Sequence, residues 1–362
     1  MTSCSEYVSL GHPDKTADYI ASCLLDEYIK HDPKVRFGLE VQIKDHICNL
    51  AGEVTSTWIP SDDEISAIVK DAIRKVGYTA EYAAKWPEGA TLNADKVMVN
   101  NFIGQQSPDI AQGVDRDGWG DQGVFMGMAT TNKEFNYLPK DVYFAQEIGK
   151  RLYKAAKNSE FPIGLDIKVM ATVGNSEIVN QVVVAAPMKE EDSQICKMCI
   201  ADIVFDVLRE KNHTVKDLVI NGTGSYVIHS SVGDAGVVGR KLAVDFYGLN
   251  CPVGGGSPWG KDATKADVTL NIYARYRALK TVLAHQGTLG TVFIKIGCCI
   301  GQSFCHVMVQ DAQNNVIHGD SIYLYPSETY ELLGLNGKAD PNMFANLCEN
   351  GLFSWCDKVA LQ

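Results

Sequence analysis

The sequence predicts an α+β protein made of three similar units, and three patterns carry that expectation. Strand-like alternation occurs in pairs, a helical stripe of apolar residues lies close to each pair, and this order recurs along the chain. At 362 residues the chain also exceeds the size at which one core stops growing.

Along the first unit, Ala17, Ile20, Leu24 and Tyr28 form one stripe between Thr16 and His31, and Asp32-Pro33 ends that helix. Val35, Phe37, Leu39 and Val41 then alternate with polar residues or glycine as a strand, with Ile47–Val54 as its partner. Ile65, Ile68, Val69, Ile73 and Val76 mark a second helix, which the side chains of Ser61-Asp62 can cap. In the second unit, strands are expected at Asp166–Val173 and Ile178–Ala186, followed by a helix from Glu191 to Lys211. The third is expected to hold strands near Ser225–Ile228 and Lys241–Phe246. A helix from Thr264 to His285, ended by Gly287, and strands at Thr291–Ile296 and His306–Gln310 complete it. The divisions fall at 1–104, 105–229 and 230–362, each near the usual domain size. Gln105–Gly120 and Gly248–Gly260 lack periodicity and read as long loops of the kind that carry function.

Composition narrows the function. Apolar residues make up 46% and charged residues 21% of the chain, as in an ordinary globular enzyme. A net charge of −11 argues against nucleic acid or an anionic membrane as partner. The opening MTSCSEYVSL has neither a basic nor an apolar leader region, and no apolar run approaches a membrane span. Eleven scattered cysteines suit a reducing cytoplasm. Cys196 and Cys199 have no second pair to make a zinc site, and they and Cys298-Cys299 read as core thiols.

Against that acidic background, local clusters of cations stand out. Gly11-His-Pro-Asp-Lys15 precedes a helix, where Asp14 can hold Mg²⁺ and His12 can donate to a leaving oxygen; helix punctuation alone explains it equally well. Asp166 and Lys168 sit two apart on an expected strand and so share a face, as a solvated ion pair or as ligand contacts. Asp121 lies in Gly-Asp-Gln-Gly, where backbone can approach a ligand or simply turn. Arg240-Lys241 end a Gly/Asp-rich loop that can bind an anion. Gly254–Gly256 lead into Lys261, Asp262 and Lys265. If this is a helix start, Asp262 caps it and the lysines repel unless an anion lies between them. Neither a Walker P-loop nor a Rossmann fingerprint occurs.

Together these motifs resemble those of the S-adenosylmethionine synthetase family from Glu6 to about Gly301. They are Gly11–Lys15, Gly52–Thr55, Gln106–Ile110, Gly113–Arg116, Gly120–Gly123, Asp234, Gly239–Lys241, Val244–Gly248 and the triple glycine with Gly260–Asp262, Lys265 and Asp267. The resemblance implies three α+β domains about a pseudo-threefold axis and a homodimer with active sites between subunits, pairing of dimers into a homotetramer being left open. It implies that ATP and L-methionine form S-adenosylmethionine, the triphosphate being hydrolysed to pyrophosphate and phosphate before release.

Position by position, the resemblance places His12, Lys168, Arg240, Lys241 and Lys261 at the triphosphate. Asp14 and Asp267 are placed at Mg²⁺, of which a pair of ions is expected, and Glu40 at K⁺. Glu53, Gln106 and Lys265 fall at methionine, with Asp121 and Asp234 between methionine and nucleoside. Asp166 is assigned to the ribose, Tyr226 to the adenine ring, and Ser225, Ser257 and Ile300 to further nucleotide contacts. Gly113–Gly120 is shorter than the family's mobile lid, implying reduced gating. Trp259 and Val253 stand where the family usually has small and polar neighbours. The other readings are a nucleotide-binding relative serving as a regulatory subunit, and a polyphosphate hydrolase using the same cations.

Overall fold

Three four-stranded sheets organise the computed structural model, which describes residues 2–105, 117–285 and 288–362. The chain begins with β1 (Ser3–Val8), α1 (Pro13–His31), β2 (Arg36–Lys44), β3 (Ile47–Thr55), α2 (Asp62–Val76) and β4 (Met98–Gly104). Next come β5 (Gly123–Ala129), α3 (Lys140–Lys157), β6 (Lys168–Val173), β7 (Ile178–Ala185), α4 (Ser193–Arg209) and β8 (Thr214–Ile220). The last stretch holds β9 (Gly236–Val237), α5 (Ala266–Ala284), β10 (Val292–Cys298), β11 (Phe304–Asp311) and β12 (Val316–Tyr323), then α6 (Pro326–Leu332), α7 (Met343–Asn350) and α8 (Ser354–Leu361).

Each sheet is an antiparallel hairpin completed on one side by a strand from elsewhere in the chain. β9 pairs with β2, β1 with β6, and β5 with β10, giving the orders β4-β3-β2-β9, β1-β6-β7-β8 and β12-β11-β10-β5. The exchange is cyclic, so no sheet comes from one contiguous stretch. In the first two sheets the fourth strand lies parallel to the hairpin, reached through α2 or α4. In the third it returns antiparallel directly after β11.

Local chemistry explains the elements that matched expectation. Ser61 caps α2 and Glu64 reaches back to the Ser61 N–H, a complete capping box. β2 alternates as expected, with Phe37, Leu39, Val41 and Ile43 buried beneath α1.

Five local expectations fail, one being that Cys299, expected in the core, is exposed. Ser225–Ile228 forms no ladder strand, and Lys241–Phe246 holds a single helical turn, Leu242–Asp245; so short an alternation fits either state, and Lys241 is anchored elsewhere. Asp166 precedes β6 and is buried while Lys168 is exposed, so the two do not share a strand face. Asp262 is not the cap of α5: Lys265 occupies that position, and neither Lys261 nor Lys265 lies within the helix. Asp262 instead accepts from the Phe37 N–H at 2.7 Å and from Thr264, tying its loop to β2. Gly287 lies outside the described residues.

α1 is buried almost all round, although it carries Asp14, Lys15, Asp18 and Asp26. Charges so placed need partners, and those of Asp14 build the candidate site.

Candidate active site

His12 opens α1 as its N-cap, its Nδ1 accepting from the Asp14 N–H at 3.1 Å, and Pro13 supplies a preset first turn. That bond leaves the neutral ring's proton on Nε2. Burial, then Lys168 and Lys241 nearby, push the His12 pKa down to about 3, against Asp14. Gly11 is required: a Cβ there would meet the Leu165 carbonyl oxygen at 2.2 Å. Tyr78 fixes the same turn by donating to the Gly11 carbonyl at 2.5 Å.

Asp14 is wholly buried. Its Oδ2 accepts from Lys241 Nζ at 2.6 Å; its Oδ1 accepts from the Val237 N–H at 2.9 Å and lies 3.1 Å from Arg240 Nε. Burial alone raises its pKa, but Lys241 and the Val237 N–H outweigh that and hold it below the ordinary value. β9, though only two residues long, thus delivers Arg240-Lys241 to the start of α1.

Beside this pair, Asp166 accepts from the Ser230 N–H at 3.1 Å through Oδ2, while its Oδ1 is buried with no partner among the described residues. Burial pushes its pKa up to about 6 against the pull of the Ser230 N–H and Lys168. Tyr226 donates to the Asp166 carbonyl at 2.6 Å and is partly exposed, as is Ser225, whose hydroxyl meets that of Ser193. Asp234 is exposed, and its carboxylate accepts from the Ala235 N–H. His229 anchors this extended segment: Nδ1 donates to the Val227 carbonyl, and Nε2 lies 2.8 Å from the Tyr82 hydroxyl and 2.9 Å from that of Thr91. Sequence reasoning missed His229; a lone histidine beside Ser230-Ser231 gives no signal.

The second cationic cluster surrounds the triple glycine. Lys261 Nζ donates to Asp267 Oδ2 at 2.5 Å, and the Gly256 N–H to Asp267 Oδ1 at 2.6 Å. Gly254 presses on β5, where a Cβ would meet the Val124 carbonyl oxygen at 2.3 Å. Ser257 joins the clusters: a Cβ on Gly239 would lie 2.7 Å from its hydroxyl. The backbone of Lys261 bridges to Gly38 of β2, and Glu53 of β3 pairs with Gly38 from the other side. Glu40 and Glu53 share the exposed outer face of this sheet; burial raises the Glu40 pKa against the pull of Lys261.

Asp121 and Ile300 make no side-chain hydrogen bond or ion pair with either cluster among the described residues, whereas Lys265 adjoins the second cluster. Asp121 is exposed, its carboxylate accepting only from the Gln122 N–H among the described residues, and its carbonyl accepts from Cys298 Sγ. Ile300, 58% exposed, lies just beyond the same strand. Lys265 heads α5. Gln106 lies outside the described residues, as does Gly113–Arg116, half of the expected lid. No group of three or more metal-ligating side chains occurs among the described residues. Asp14 and Asp267 are single carboxylates, each already paired with a lysine. That donor set suits Mg²⁺, which takes one or two protein carboxylates and completes its shell with phosphate oxygens and water.

Comparison with known families identifies the chain by its sequence and fold. The S-adenosylmethionine synthetase N-terminal domain model matches residues 1–108, the central domain model 116–226 and the C-terminal domain model 228–333. The chain belongs to the S-adenosylmethionine synthetase family. The family match runs past Gly301, where the motifs thin out. S-adenosylmethionine synthase of Wolinella succinogenes is 36% identical over 312 residues, covering 82% of this chain and 77% of that one. The synthase of Sulfurovum sp. is 35% identical over 312 residues with the same coverage. A solved structure titled as an unusual S-adenosylmethionine synthetase from Campylobacter jejuni superposes with a TM-score of 0.85 at 28% identity, covering 97% of this chain and 94% of that one. The expected family and three-unit α+β fold are therefore both borne out.

Proposed function

We propose that this chain is an ATP:L-methionine S-adenosyltransferase whose triphosphate site is built on the Asp14–Lys241 pair. The observation that carries the reading is the convergence of Arg240 and Lys241 on one buried carboxylate beside His12. Cations held this way are preorganised for a polyanion, so little reorganisation is needed when charge develops.

In the proposed reaction a lone pair of the methionine sulfur attacks the 5′-carbon of ATP. The new C–S bond forms as the C5′–O bond breaks, and that electron pair leaves on the bridging oxygen with the triphosphate. A thioether carries no proton to remove, so no general base is needed; alignment and leaving-group stabilisation supply the rate. His12, neutral with its proton on Nε2, donates toward the bridging oxygen. Lys168, Arg240, Lys241 and Lys261 neutralise the triphosphate, which is then hydrolysed to pyrophosphate and phosphate. Mg²⁺ at Asp14 and Asp267 would add further neutralisation of phosphate charge, and K⁺ would sit at Glu40.

The remaining roles are those the family resemblance implies. The unpartnered Oδ1 of Asp166 suits a ribose hydroxyl. Tyr226 offers a ring face to adenine, with Ser225, Ser257 and Ile300 as further nucleotide contacts. Glu53, Gln106 and Lys265 would bind methionine, with Asp121 and Asp234 between it and the nucleoside. Supporting a homodimer, Glu53 shares an exposed sheet face with Met98 and Phe102, the latter 68% exposed; a second copy covering that face would bring in the outlying residues. Among the described residues no helix is long and apolar enough to cross a membrane, and the free cysteines suit a cytoplasmic setting.

Pure protein incubated with ATP, Mg²⁺ and methionine tests the reading by mass spectrometry. A sulfonium product formed only when methionine is present supports it. Phosphate release indifferent to methionine would favour a hydrolase, and nucleotide binding without turnover a regulatory subunit.

A further inference from the structure

Lys15 follows Asp14 in the chain but turns away from the site. Its side chain is only 4% exposed, with Nζ 2.5 Å from Asp245 Oδ1, 3.0 Å from Asp18 Oδ2 and 4.4 Å from the centre of the Trp259 ring. The same carboxylates hold other segments: Asp18 Oδ1 accepts from the Gly239 N–H at 2.8 Å, and Asp245 Oδ2 from the Trp259 indole N–H at 2.8 Å. One buried ammonium therefore ties α1 to both loops that carry the cations. Gly239 immediately precedes Arg240-Lys241, the single helical turn ending in Asp245 starts after Lys241, and Trp259 stands two residues before Lys261. Trp259 itself is buried. It faces Lys15 and Asp245.

We infer that Lys15 and Trp259 are positioning residues that set the spacing between the Arg240-Lys241 pair and Lys261, and so tune recognition of the triphosphate. The inference rests on the proposed reaction but concerns residues that would touch no substrate. A cation between two buried carboxylates over an indole face is directional: the N–H fixes one carboxylate, the ammonium spans both, and the ring limits where the ammonium can sit.

Inorganic tripolyphosphate with Mg²⁺ is the probe, alongside the methionine KM and the melting temperature. Lys15→Met leaves two buried carboxylates without their cation and is expected to weaken folding as well. Trp259→Phe keeps a ring beneath Lys15 and removes only the indole donor. It is expected to weaken tripolyphosphate binding about tenfold, with the methionine KM unchanged and the melting temperature within about 4 °C of wild type. Unchanged tripolyphosphate affinity in Trp259→Phe would overturn the inference, as would equal losses for both ligands with a large fall in melting temperature. Wild-type protein that neither binds tripolyphosphate nor makes a sulfonium would instead refute the functional reading, so the two failures are distinguishable.

Discussion

Lys241 Nζ donates to Asp14 Oδ2 at 2.6 Å across 227 residues of sequence. The contact depends on β9 pairing with β2 and on α1 lying over that sheet, so folding and site assembly are one event. Replacing Asp14 with Asn leaves a partly buried lysine and a half-exposed arginine facing a neutral amide. The expected outcome is a stability loss of about 1.5 kcal/mol in urea unfolding and a fall in turnover of about 100-fold or more.

Lys261 behaves differently, because its pair with Asp267 is a quarter exposed, at 26% and 23%. Such pairs contribute about 1 kcal/mol or less. Lys261→Met should therefore melt close to wild type while turnover falls about 100- to 1000-fold. A wild-type rate would remove Lys261 from the site.

His12 has two separable tasks, capping α1 and donating from Nε2. His12→Asn keeps a capping acceptor and should stay within about 0.5 kcal/mol of wild type, whereas His12→Ala should lose about 1 kcal/mol. Both should lose turnover, by about 100-fold or more. The pH dependence has a defined sign. The unfolded chain takes up a proton at His12 near pH 6.5, while the folded protein resists until about pH 3. Stability is thus present above pH 6.5 and lost as pH falls through that window. Chemical unfolding of wild type and His12→Asn at a series of pH values checks this, and the variant should show a shallower decline.

Asp26 gives the opposite sign at the other end of α1. It accepts from the Phe344 and Ala345 N–H groups at 2.9 and 2.8 Å, docking α7, yet burial raises its pKa to about 7. The folded protein holds this proton more tightly than the unfolded chain, whose carboxyl titrates near 3.8. Stability from this group is therefore present below about pH 4 and declines as pH rises to about 7. Amide exchange across Met343–Asn350 should quicken between pH 5 and pH 8 beyond the intrinsic chemical rate, and Asp26→Asn should flatten that extra dependence. An unaltered profile in the variant would place the titration elsewhere.

What the sequence shows and what it hides divide along physical lines. The β2–β3 hairpin and α2 are legible because alternation, helical stripe and capping box are all local. The cations and carboxylates of the site are legible as motifs, since glycines, histidine and basic pairs recur at distinctive spacing. Strand exchange is not legible: β1, β5 and β9 find partners far along the chain, and β9 is only two residues long. The Leu242–Asp245 turn is equally hidden, because its apolar pattern suits strand and helix alike. Lys15, Asp18 and Asp26 look like the solvated side of a helix, and only the packing of α1 against α2, α7, β2 and β9 shows that they are buried.

The proposed reaction breaks the C5′–O bond of ATP, and the triphosphate leaves intact. ATP carrying ¹⁸O at the 5′ bridging position tests it in one turnover experiment with methionine. The label is expected to depart with the phosphate products, and the nucleoside product to carry none. Label retained on the nucleoside, with phosphate released by P–O cleavage, would contradict it.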